Sequence, residues 1–146
     1  MDQSTLNMVG PAIILSVPAA GCCIGCWIAG QASHAAMART EEGHGKFIGM
    51  ASAPSSQMIY GFILMVLMKN AILAGGITAY GAIGVAVFAA IPLAFSSIFQ
   101  GMVCATGIQA SAKRPAVYGK CFAAVGIIES VALFVFVFSL MLLNAA

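Results

Sequence analysis

A single carboxylate, Glu129, stands inside the apolar run GIIESVALFVF, residues 126–136. A charged side chain at the centre of a bilayer costs about 2.5–3.5 kcal/mol on insertion scales, so such residues face protein or water and mark function. Four side chains with neutral oxygens lie deep in other apolar runs: Ser56, Gln57 and Tyr60 in one, Gln100 in the next. Ser56 and Tyr60 are four residues apart and Gln57 and Tyr60 three apart, so a helix presents all three on one face. Hard cations such as Na⁺ take oxygen ligands. One carboxylate among neutral oxygens is electrically balanced once a monovalent cation binds. Such a site can face lipid at far lower cost than a bare carboxylate. Taken singly, a membrane glutamine is an interhelical hydrogen bond, Tyr60 is packing, and Ser55 and Ser56 cap backbone loosened by Pro54. Glu129 has no such bland role.

Composition puts this chemistry in a membrane. Of 146 residues 62% are hydrophobic and 7% charged, with mean hydropathy +1.04; soluble domains carry about 25% charged residues. A formal charge of +2 is too small for a nucleic-acid partner. Asp2 stands where a secretory signal would be basic, so the first apolar segment is expected to be retained. Cys22, Cys23, Cys26, Cys104 and Cys121 read as small, soft packing residues. Cys23 and Cys26 form a CxxC inside an apolar helix without a histidine or acidic partner, and neither His34 nor His44 pairs with a cysteine at ligand spacing. No metal centre of that kind is indicated, and no cofactor beyond a transported Na⁺ or H⁺.

The charged residues divide the chain into four spans, residues 3–38, 47–68, 80–112 and 116–143, each with the roughly 20 apolar residues a crossing helix needs. The expectation is an all-α membrane protein, one transmembrane domain over 1–146, with hairpin one at about 8–70 and hairpin two at about 79–144. Arg39, Lys46, Lys113, Arg114 and Lys120 fall at one end and only Lys69 at the other. The positive-inside rule then puts turns 39–46 and 112–119 in the cytoplasm and both termini outside. Pro18, Pro54 and Pro92 lie within spans; Pro54, followed by Ser55, Ser56 and Gln57, predicts a helix opened beside side-chain oxygens.

The halves repeat. Setting Gln57 on Glu129 aligns QMIYGF, 57–62, with ESVALF, 129–134, and GQAS at 30–33 echoes GIQAS at 107–111. The chain reads as two fused helical hairpins, one keeping a carboxylate where the other has an amide. Gly21, Gly25, Ala29 and Ser33 in the first span, and Ser97, Gly101 and Ala105 in the third, are spaced to let helix backbones approach closely. Phe134, Phe136 and Phe138 make the fourth span bulky. Two thin helices and two bulky ones suit a ring whose inner wall is the first and third spans.

These segments resemble the membrane rotor proteolipid of V-type ATPases, the c or K subunit, in its duplicated four-helix form. The resemblance is carried by PSSQMIYGF at 54–62, FQG at 99–101, GIQ at 107–109, KRP at 113–115 and Ile128-Glu129, and it extends over essentially the whole chain. It implies a homo-oligomeric ring turning against a stator subunit with a basic residue, joined to central-stalk subunits, embedded in lipid and carrying one ion per chain on Glu129. The chain is most similar to sodium-binding bacterial members, which would place it in the cell membrane. In those, the resemblance implies that Ser56, Gln57, Gln100 and Glu129 ligate Na⁺, Tyr60 holds the carboxylate, and the Ala53 carbonyl contributes. Ser56 stands where such members have Thr, and Ala53 where they have Leu. Neither difference excludes Na⁺ or H⁺. The rival readings are a small four-helix cation-coupled antiporter, which predicts a dimer with an aromatic cavity, and a tetraspan structural or assembly protein, which gives Glu129 no task.

Overall fold

The computed structural model describes residues 2–144. Five helices follow in order: α1 (Gln3–Met37), α2 (His44–Ser52), α3 (Ser56–Leu73), α4 (Ala79–Lys113) and α5 (Tyr118–Asn144). The 3₁₀ turn Ala53–Ser55 joins α2 to α3, and another, Pro115–Val117, leads into α5. Four stretches are long and apolar enough to cross a membrane: Gln3–Met37, His44–Leu73, Ala79–Lys113 and Pro115–Asn144. With a rise of about 1.5 Å per residue, the 35-residue α1 and α4 outrun a hydrocarbon core of about 30 Å by several turns. The second stretch is longer at both ends than the 47–68 expected.

Local sequence explains where helices stop. After α3, Gly75 takes φ +74. Gly75 N–H then donates to Ile72 O and Gly76 N–H to Ala71 O, the bond pair of a Schellman ending. Thr78 caps α4 by accepting from Gly81 N–H at 3.2 Å. Pro11 and Pro18 sit inside α1 and Pro92 inside α4 without ending either helix. Pro54 does interrupt its span, as its polar neighbours predicted.

The most extensive helix contact is α1 on α4, with α3 against α1, α5 against α4, and α3 touching α5. Glycine makes the central contact possible. A Cβ on Gly21 would lie 2.6 Å from Ala94 Cα, and one on Gly101 would run into the Gly25 backbone. Gly21, Gly25, Ala29, Ser33, Ser97 and Gly101 are buried as the small-residue spacing predicts. Ala105 is only partly buried; the seam continues instead through Cys104, Ile108 and Ser111. By contrast α5 buries only a narrow stripe, Val125, Ala132, Ser139 and Leu143, leaving Ile127, Val131, Phe134 and Phe138 exposed. Apolar surface of that extent calls for lipid or a protein neighbour.

The core is divided in two. One cluster gathers Ile14, Leu64, Met68, Leu93 and Ala132; the other gathers Ala29, Met50, Cys104, Ile108 and Val125. Between them, along α3, α4 and α5, lies a layer of polar side chains. At the far end of the second cluster the two polar connections meet, where Lys46 Nζ lies 5.6 Å from the centre of the Tyr118 ring, within cation–π range.

Candidate functional site

The polar layer is built around Glu129, partly buried on α5. Its Oε2 accepts from Ser56 Oγ at 2.8 Å, from Gln100 Nε2 at 2.8 Å and from Gln57 Nε2 at 3.3 Å. Its Oε1 accepts from the Tyr60 hydroxyl. Two neighbouring helices thus supply four donors to one carboxylate on a third. Hydrogen bonds to a charged group contribute about 1.5–3 kcal/mol each, and in this low-dielectric layer an unpaired partner would be costly. The arrangement suits an ionised carboxylate.

Each donor is fixed by its element. Ser56, Gln57 and Tyr60 share the face of α3 that helical spacing predicted. Gln57 and Gln100 are fully buried side chains, and Gln57 Nε2 donates to Gln100 Oε1 at 3.0 Å. The Gln100 amide also reaches Val125 O at 3.4 Å, so both amides turn their NH₂ groups towards Glu129. Because one amide donates to the other, reversing either to present its oxygen requires reversing both. The Tyr60 ring packs on Phe136 with centroids 5.3 Å apart.

Ser56 has one hydroxyl proton and three acceptors in range: Glu129 Oε2 at 2.8 Å, Ala53 O at 3.0 Å and Gln57 Oε1 at 3.2 Å. The charged acceptor gives the strongest bond. The Ala53 carbonyl therefore stands one hydroxyl away from the carboxylate. The structure brings Glu129, Ser56, Gln57, Tyr60 and Gln100 into direct contact and places Ala53 beside them.

Two residues of this layer were not among the expected site residues. Ser96 Oγ accepts from Gln57 Nε2 at 3.4 Å and reaches Ile128 O at 3.4 Å. Ser97, expected only as a small packing residue, donates to Pro54 O at 2.6 Å. The available signal was spacing: Ser96 lies four residues before Gln100, on the same helix face.

The layer combines one ionisable oxygen pair with the oxygens of Ser56, Gln57, Gln100, Tyr60 and Ala53. It can hold a proton or a small cation without a second fixed charge. The family model of the ATP synthase C subunit matches the chain twice, over residues 9–68 and 71–142. The two matches divide the chain as two hairpins of one kind. A comparison with curated proteins found no match.

Proposed function

The chain belongs to the ATP synthase C subunit family, and on that premise we propose that it is the Na⁺-carrying rotor proteolipid of a V-type rotary ATPase. Family membership and the four apolar helices make it a multi-pass integral membrane protein and an ion-carrying rotor-ring subunit of an ATP synthase or ATPase. The V-type reading is supported by duplication within one chain, with Glu129 in the second half and Gln57 in the first. The Na⁺ reading is supported by the oxygens around Glu129. The single observation that carries the proposal is the α5 carboxylate held by Ser56, Gln57 and Tyr60 from α3 and Gln100 from α4, between two apolar clusters.

In this reading Glu129, Ser56, Gln57, Gln100 and the Ala53 carbonyl ligate the ion, with both amides turned to present oxygen. Tyr60 holds Glu129 Oε1. The occupied site is neutral and crosses lipid as the ring turns, driven through a central stalk by ATP hydrolysis in a soluble head. At the stator a basic residue draws Glu129 off its ion, and the site reloads from the opposite side. Run backwards, the cycle makes ATP. The turns at 39–46 and 112–119 face the cytoplasm and the stalk, with α1 and α4 as the inner wall.

Glu129→Gln removes the charge of the layer. ATP-driven ion uptake into vesicles should fall to background while the ring still assembles; retained coupled uptake would end the proposal. Carbodiimide labelling of Glu129 reads the ion, because the reagent attacks the protonated carboxyl. Millimolar NaCl should slow labelling near neutral pH, and absence of that protection makes the site a proton site. The mass of the detergent-solubilised assembly separates a large ring from the dimer expected of a small antiporter.

A further inference from the structure

Ser97 is fully buried and donates its hydroxyl to Pro54 O at 2.6 Å. Pro54 occupies the middle of the 3₁₀ turn that interrupts the second span. Around this break the hydroxyls of Ser52 and Ser55 donate to the carbonyls three residues back, Gly49 O at 2.9 Å and Ser52 O at 2.7 Å, and Ser56 donates its proton to Glu129 Oε2 with Ala53 O at 3.0 Å beside it. None of these bonds fixes the backbone of the interrupted turn against α4. The Ser97 bond does.

One helical turn further along, Gln57 Nε2 donates to Gln100 Oε1 at 3.0 Å. Met50 lies against Gly107, and Met68 and Ala82 both meet Gly10, so the second span runs antiparallel to α4; the Ser97–Pro54 and Gln100–Gln57 bonds therefore cross and tie the two helices together at one level. The space around the Ser97–Pro54 bond is tight: a Cβ on Gly25 would lie 2.9 Å from Pro54 Cβ and press on the Ser97 carbonyl. The turn is thereby held from two sides, by α1 through contact and by Ser97 through a directed bond.

We propose that Ser97 is a positioning residue that determines ion specificity. Its bond to Pro54 O keeps the interrupted turn at the depth where the Ala53 carbonyl stands beside the carboxylate, while Ser56, Gln57, Tyr60 and Gln100 hold Glu129 through bonds of their own. A metal cation needs that carbonyl oxygen as well; a proton needs only the carboxylate and its donors. Losing the Ser97 hydroxyl therefore weakens Na⁺ binding and leaves protonation alone. This inference rests on the Na⁺ reading above.

The test uses assembled rings of wild type, Ser97→Ala and Ser97→Cys. Two quantities are measured by carbodiimide labelling of Glu129: the NaCl concentration giving half protection, and the pH midpoint of labelling without Na⁺. In Ser97→Ala the half-protection concentration should rise about fivefold, the effect of one hydrogen bond, with the pH midpoint unmoved. Ser97→Cys, with a weaker donor of similar size, should show a smaller rise. A packing role alone would leave both quantities unchanged or move them together, and either result overturns the inference. If Ser97→Ala rings fail to assemble, Ser97→Cys decides, and an unchanged half-protection concentration there overturns it. Wild-type rings without Na⁺ protection would remove the Na⁺ reading and this inference with it; protection in wild type that is unaltered in Ser97→Ala removes this inference alone.

Discussion

Helices α1 and α4 have the same length, 35 residues, and their backbones meet at Gly25 and Gly101. Only α4 carries hydroxyl and amide side chains beside that meeting point. Ser96, Ser97 and Gln100 occupy the turn before Gly101, whereas α1 has no amide or hydroxyl side chain between Ser16 and Gln31. The outer spans differ in the same sense. Glu129 lies in an unbroken α5, and Gln57 follows an interruption at Pro54. The two halves share a packing scheme and have divided the chemistry. One half contributes the charge and an amide; the other contributes a hydroxyl, an amide, a phenol and an opened backbone turn. Neither half holds a complete site.

The strongest challenge to that division is Gln57→Glu, which makes the repeat more symmetrical in sequence. Gln57 Nε2 donates to Glu129 Oε2 at 3.3 Å, so the variant replaces a donor with a second carboxylate. Two such groups at one site do not both ionise, and one proton stays trapped between them. ATP-driven ion uptake should fall about tenfold or more, the size of a one-unit shift in proton binding. If the halves were interchangeable, uptake would persist and carbodiimide would label two carboxyls per chain by mass.

Tyr60→Phe takes away the contribution that α3 alone makes to Glu129 Oε1. One charge-assisted bond contributes about 1.5–3 kcal/mol, so the NaCl concentration for half protection should rise about 10- to 100-fold. An unchanged value would reduce Tyr60 to packing on Phe136.

Gly101→Ala probes the shared scaffold in place of the divided site. Its Cβ would overlap the Gly25 backbone, and overpacking of this kind costs about 1–3 kcal/mol. Thermal unfolding of the assembly should begin at lower temperature, while half protection in rings that do form stays near the wild-type concentration. Ser130→Ala should do least. Ser130 is exposed beside Glu129 and donates to its own helix at Ile127 O, 2.7 Å away. Protection and stability should stay within about 0.5 kcal/mol of wild type; a larger loss of protection would extend the site onto the exposed face of α5.

Much of this was legible in the chain. Gaps between charges located four spans because charge is excluded from long lipid-facing segments. The opening at Pro54 followed from a proline with three polar residues after it. The α1–α4 contact followed from Gly21, Gly25 and Gly101, since only small residues let backbones come so near. What was less legible has physical reasons. Serine is both small and a donor, so Ser97 was expected to pack and its bond to Pro54 O gave no separate signal; for Ser96 only its spacing from Gln100 pointed to the layer. The seam leaves Ala105 for Cys104 and Ile108 because the contacting stripe of α4 rotates, and a four-residue rule does not follow it. The second span runs beyond its apolar stretch because helix geometry tolerates His44, Lys46 and Lys69 at the margins. The direction in which each amide points depends on acceptors such as Val125 O, which belong to another helix.

One carboxylate for four crossing helices has a mechanical meaning. In the rotor proposed above, with Glu129 as its carrier, each ion accompanies the passage of a whole four-helix unit, a longer arc than a two-helix unit with its own carboxylate would sweep. Fewer ions then cross in a full turn, and each receives a larger part of the work done on the shaft. Moving one charge takes about 2.3 kcal/mol for every 100 mV, so a larger part sustains a steeper gradient. An amide at Gln57 in place of a second carboxylate is, in that sense, a change to a lower gear.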